Sequence, residues 1–117
     1  MAANKVHVFH LEEVPVEELN GGGEVRRIVT KEKTGVDLTF SKGFAPPGFG
    51  HDMHSHADQD EVIFCLAGGG TMTVEGQGDI EYKAGMAIVI PRGIKHCNKN
   101  TTDRELHVVT MFNPALR

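Results

Sequence analysis

The stretch EVIFCLAGGGTMTVEGQGDIEYKAGMAIVIPRGIKHCN, residues 61–98, decides how this chain folds. Short runs rich in β-branched and aromatic side chains are cut at regular intervals by glycine and proline. The runs at 61–66, 71–75, 80–82, 86–90 and 95–98 read as strands. Gly68-Gly69-Gly70, Gly76-Gln77-Gly78, Ala84-Gly85 and Pro91-Arg92-Gly93 read as the turns between them. Strands at this spacing, joined by glycine-rich turns, predict an all-β sandwich or barrel.

The pattern continues outward. Residues 105–112 read as a further strand after the turn Asn100-Thr101-Thr102-Asp103. Leu106, Val108, Thr110 and Phe112 share one of its faces, and Glu105, His107, Val109 and Met111 the other. Alternation separates the two faces without saying which looks inward. Upstream, 25–30 and 36–40 predict a hairpin about the polar turn 31–35, and Pro46-Pro47-Gly48 interrupts any ladder. Residues 5–9 alternate and predict one more short strand, whereas 11–19 read as a loop or one helical turn from Val16 with Pro15 at its start. With 117 residues and no repeat, linker or low-complexity tail, the expectation is a single domain, 1–117.

Twelve Lys and Arg against sixteen Asp and Glu give a net charge of −4 with no basic block, which argues against a nucleic-acid partner. A chain that is 39% hydrophobic and 24% charged is not disordered. Its longest apolar runs, 62–67 and 86–90, fall far short of the roughly 18–20 residues of a membrane-spanning helix. The opening MAANKVHVFHLEEV has one early Lys and no continuous apolar core, so no export leader is expected. Cys65 and Cys97 could form one bridge or none; two reduced thiols in a cytoplasmic protein are expected.

Seven histidines are the compositional feature that carries chemistry. In a strand, residues two apart face the same way, so His54-Ser55-His56 would present two imidazoles side by side. Glu61, opening the next strand, can reach the same point, and His96 can join them from another strand. Imidazole and carboxylate together suit one divalent transition metal: manganese, iron, nickel, copper or zinc. Taken alone, a His-x-His pair is also common on solvated strands.

The framework around these residues resembles the cupin superfamily. That family's first motif is Gly, five residues, His-x-His, three or four residues, Glu, six residues and Gly; Gly48, His54, His56, Glu61 and Gly68 match it. Its second is Gly, five residues, Pro-x-Gly, two residues, His, three residues and Asn; Gly85, Pro91, Gly93, His96 and Asn100 match it. The motifs lie within 48–68 and 85–100. The resemblance implies a double-stranded β-helix, the cupin jelly-roll barrel, with His54, His56, Glu61 and His96 as ligands of one divalent metal. It also suggests a homodimer. Gly48, Gly68, Gly85 and Gly93 are expected where turns need positive φ or close backbone approach, and Asn100 is expected to bond a turn rather than a metal.

Other candidates read as structural. Cys97 adjoins His96 and so faces the other way, which excludes a thiol–imidazole pair. Cys65 and Ile63 share the parity of Glu61 and are expected as apolar wall. His51 reads as a loop histidine, and His7 and His10 as surface residues. The glycine triplets lack the Lys-Ser/Thr or helix of a phosphate cradle. The functional expectation is a small metalloenzyme of dioxygenase or lyase type acting on a small oxygen-donor substrate. Two alternatives stand beside it: a non-catalytic metal-dependent module that binds or senses a small ligand, and a metal-free isomerase or epimerase.

Overall fold

The computed structural model describes residues 5–117; residues 1–4, part of the stretch read above for an export leader, lie outside them. The elements run β1 (Glu17–Glu18), β2 (Glu24–Val29), α1 (Lys31–Thr34), β3 (Thr39–Ala45), β4 (Asp60–Ala67), β5 (Gly69–Val74), β6 (Gly78–Lys83), β7 (Ala87–Ile90), β8 (His96–Lys99) and β9 (Leu106–Asn113). They form a six-stranded sheet in the order β1-β2-β3-β9-β4-β7 and a three-stranded sheet in the order β6-β5-β8. Every strand pair is antiparallel.

Period-two burial sets the interior. In β4, Glu61, Ile63 and Cys65 are buried while Phe64 and Leu66 are exposed, as a pleated strand with one face on a core requires. The opposite sheet contributes Met72, Val74 and Tyr82, and β9 contributes Leu106 and Val108. The β9 face whose direction alternation left open therefore turns Leu106, Val108 and Phe112 inward. Register does the rest: Glu61 pairs with Phe112, which pairs with Thr39, and Ile63 pairs with Thr110, which pairs with Ser41.

Turn chemistry closes the barrel. Gly48, Gly68, Gly85 and Gly93 all have positive φ, as expected. The constraint is sharpest at Gly68, where φ is +78° and an added Cβ would stand 2.2 Å from the Glu105 carbonyl oxygen.

Three upstream expectations need correction. Residues 5–9 form no strand, because no sheet edge accepts them, and Val6 and Val8 stay exposed. Residues 11–19 carry a 3-10 turn at Leu11–Glu13, capped by the His10 ring, and then β1; Pro15 lies in the extended link between them rather than opening a helical turn. The second hairpin strand starts at Thr39, not residue 36, since Lys31–Thr34 forms a helical turn capped by Thr30 and closed by Gly35 at φ +77°. It also runs on to Ala45. Among the described residues, no helix is long and apolar enough to cross a membrane.

Candidate functional site

Backbone bonds gather the site. His54 and His96 form an isolated antiparallel bridge: His54 N–H donates to the His96 carbonyl at 2.9 Å, and His96 N–H returns to the His54 carbonyl at 2.8 Å. The His56 carbonyl accepts from Gly93 N–H at 2.9 Å, and the Asp60 carboxylate accepts from Arg92 N–H at 3.1 Å. The turn 91–93 thus ties the His-Ser-His segment and the start of β4 to the approach to β8. The expectation that His54 and His56 sit on a regular strand is corrected here: they lie in an irregular segment, held by the bridge to His96.

One ring nitrogen from each of His54, His56 and His96 lies within 4.8 Å of the others, a set that could hold a metal ion. Glu61 Oε1 joins it, 3.2 Å from His96 Nε2 and 3.9 Å from His56 Nε2. Hydrogen bonding fixes what two of the rings present. His96 Nδ1 lies 2.9 Å from the Ile94 carbonyl and His54 Nδ1 lies 2.7 Å from the Asp52 carbonyl. A carbonyl only accepts, so both Nδ1 atoms carry a proton, which leaves Nε2 as the atom each ring can offer to a cation.

Glu61 faces these nitrogens. It is 7% exposed, and its Oε1 has no hydrogen-bond partner despite its closeness to His96 Nε2. Burial pushes the Glu61 carboxyl up to about 7, against a smaller opposing pull from His54. Burial, and then His54 and His96, push His56 and His51 down from the ordinary imidazole range. A buried carboxyl oxygen with no hydrogen-bond partner, set among three imidazole rings, is a constellation short of one cation. The residues present therefore fit a divalent metal, for which bare imidazole nitrogens and a carboxylate are suited donors.

The site opens on a cavity of about 280 Å³ between the sheets. Its wall is mostly apolar, with Ile63, Met72, Leu106, Val108 and Phe112 among the lining side chains. Phe112 also packs edge-on against His56, with ring centroids 4.9 Å apart. His51 is exposed, as a loop histidine should be, yet it lines this cavity beside Phe49. Cys65 is buried in the core, Cys97 is half-buried on the face away from His96, and both thiols are free. His107 stands on the outer face with Lys42 Nζ 2.8 Å from its Nδ1. His10 is exposed, whereas His7 is partly buried against Phe9.

Asn100 is structural, as expected. Its Nδ2 donates to the Ala45 and Arg104 carbonyls, and its Oδ1 accepts from the Thr102 N–H and hydroxyl. Sequence reading missed Ser41, because it ended that strand at residue 40. The inward parity of Thr39, Ser41 and Ala45 would have found it once the strand was extended.

The sequence profile of the cupin domain matches residues 44–112. The chain belongs to the cupin family. A probable oxalate decarboxylase from Arthroderma benhamiae is 25% identical over 111 residues, which is 90% of this chain but only 28% of that protein. Among solved cupin-like structures, a predicted oxalate decarboxylase from Thermotoga maritima superposes with a TM-score of 0.82 at 24% identity, covering 91% of this chain and 97% of the other. The polyketide cyclase RemF from Streptomyces resistomycificus gives 0.82 at 18% identity, covering 92% and 79%. At these identities the superpositions establish a shared double-stranded β-helix and no shared chemistry.

Proposed function

We propose that this cupin is a metal-dependent enzyme of dioxygenase or lyase type. One divalent transition metal is held by His54, His56, Glu61 and His96, and the substrate chelates through oxygen. The observation that carries this reading is the buried Glu61 Oε1, without a hydrogen-bond partner, 3.2 Å from His96 Nε2 in a cluster of three ring nitrogens. A bound metal of this kind supplies Lewis-acid polarisation of a chelating oxygen, or redox chemistry with dioxygen. Four protein donors leave open positions on a six-coordinate ion, unlike a closed structural site.

The chain's own residues shape what enters. The Nδ1–H bonds of His54 and His96 to the Asp52 and Ile94 carbonyls orient the two rings, and the bridge between the two backbones limits their drift. Phe112 and Ile63 exclude water from one side. The cavity is lined largely by apolar carbon; of its two arginines, Arg27 is paired with Glu17 at 3.0 Å and Arg117 is the other. That wall suits a substrate with oxygen donors on an apolar body better than a bare dicarboxylate.

The test is metal analysis of wild type, His54→Ala and His96→Ala, with dioxygen uptake measured on the iron-loaded protein. Wild type should carry about one metal per chain and each variant far less; full occupancy in either variant contradicts the ligand set. Dioxygen consumption selects the dioxygenase reading, and turnover under nitrogen selects the lyase. Pairing with a second copy is part of the proposal, because the outer face of the larger sheet exposes Phe64, Leu66 and Val89. The free thiols fit a reducing compartment such as the cytoplasm.

A further inference from the structure

One inner-face step from the metal cluster, the cavity wall changes character. On β8, Asn98 stands two residues beyond His96. On the facing sheet, Thr110 and Ser41 stand two residues from Phe112 and Thr39, the pair in register with Glu61. Each step is about 6.6–6.8 Å along a strand. All three steps lead towards the same end of the barrel, the one where the Asn100 amide meets the Ala45 carbonyl. All three side chains line the cavity.

Their hydrogen bonding is incomplete in a directed way. Ser41 is 2% exposed and its hydroxyl has no partner. Serine ordinarily satisfies itself on a nearby backbone carbonyl, so a buried, orphaned hydroxyl is uncommon and costly. Thr110, paired directly with Ser41, makes no side-chain hydrogen bond among the described residues either. Asn98 accepts from the Tyr82 hydroxyl through Oδ1. Tyr82 is buried, and its phenol is pushed up to about 12, so it stays a donor and holds the amide with Nδ2 free towards the cavity. Two hydroxyls on one wall and an amide N–H on the other thus flank a slot between the metal cluster and the apolar patch formed by Leu106 and Val108.

We propose that Ser41, Thr110 and Asn98 form a second, polar subsite that reads an oxygen at the far end of the substrate. The substrate class is then an oxygen chelate at one end, a flat or apolar body, and a hydroxyl or carbonyl at the other. This rests on the metal reading above and extends it, since the cluster fixes one end of the molecule and the subsite fixes the other. A two-carbon dicarboxylate cannot reach both.

The experiment compares two hydroxypyranone chelators that differ only at the distal position: kojic acid, with a hydroxymethyl group, and allomaltol, with a methyl group. Calorimetric titration of each into the full chain loaded with Zn(II) should give roughly tenfold tighter binding of kojic acid. That preference should fall towards one in Ser41→Ala and in Thr110→Val. Neither variant removes a hydrogen bond made within the chain, so both should fold and keep their zinc. Equal binding of the two chelators by wild type overturns the subsite while leaving the metal centre standing, as does a preference undiminished in both variants. Zinc retained with neither chelator bound also overturns the subsite. Failure of wild type to take up zinc at all overturns the metal reading, and the subsite with it.

Discussion

Replacing Glu61 with Gln tests the charge argument at its centre. In the metal-free protein the Glu61 carboxyl is pushed up to about 7 from an ordinary 4.5, chiefly by burial. A carboxyl raised in this way favours the fold only while protonated. Its contribution is complete below about pH 4.5 and is lost as pH rises through about 7. The gap between the two values corresponds to about 3 kcal/mol of penalty once the group is fully ionised. Gln keeps the shape without the charge, but leaves a buried amide partly unbonded at a cost of about 1 kcal/mol. Chelator-treated Glu61→Gln should therefore be more stable than wild type at pH 8 by roughly 2 kcal/mol, several degrees in Tm for a chain this size. Near pH 4.5 the gain should vanish or reverse. Saturating Zn(II) should invert the order at pH 8, because only the carboxylate neutralises part of the ion's charge. Thermal melts at the two pH values, with chelator and with Zn(II), read all of this. A metal-free variant no more stable than wild type at pH 8, or a difference independent of pH, refutes the reasoning.

Metal affinity should fall as pH drops below 7, since ligation must displace the Glu61 proton; equal competition titrations at pH 5.5 and 7.5 would contradict this. Gly68→Ala combines a positive φ with a Cβ 2.2 Å from the Glu105 carbonyl oxygen, so a loss of about 3 kcal/mol or more is expected by urea melt. Asn100→Ala removes the amide's bonds to the Ala45 and Arg104 carbonyls and to the Thr102 N–H, the one to Ala45 buried, for an expected loss of about 2–4 kcal/mol. That variant should nevertheless bind metal in full where it folds, as elemental analysis of the soluble fraction would record.

Most of the barrel was legible because its strands carry a period-two pattern bounded by glycines whose φ is positive in fact. The N-terminal third was not. Residues 5–9 alternate as well as any strand, but alternation does not say whether a sheet edge is available to receive them. The hairpin strand was misread at both ends: Val36 and Leu38 look strand-like but follow a helical turn, and Ser41 to Gly43 look like a loop but are paired to β9 along their length. The His-Ser-His pair reached the expected destination by a different local structure. Two backbone hydrogen bonds to His96 substitute for the strand, and no periodicity rule could have supplied them.

The inward-facing polar residues divide by whether the fold itself satisfies them. Thr39 Oγ1 donates to the Arg117 carbonyl and accepts from the backbone N–H groups of Leu116 and Arg117, clasping the C-terminal residues. Asn100 is saturated by the loop it organises. Polar groups bonded so completely exist for the architecture, and nothing else needs to bind them. Ser41 Oγ and Glu61 Oε1 are the two buried side-chain atoms left without a hydrogen-bond partner among the described residues, and both residues line one cavity. A β-barrel could place aliphatic groups at either position and be more stable for it. Keeping one carboxyl and one hydroxyl without hydrogen bonds in the same cavity is a cost the fold does not require of itself. A ligand that completes both, a cation at Glu61 and a distal oxygen at Ser41, would remove that cost.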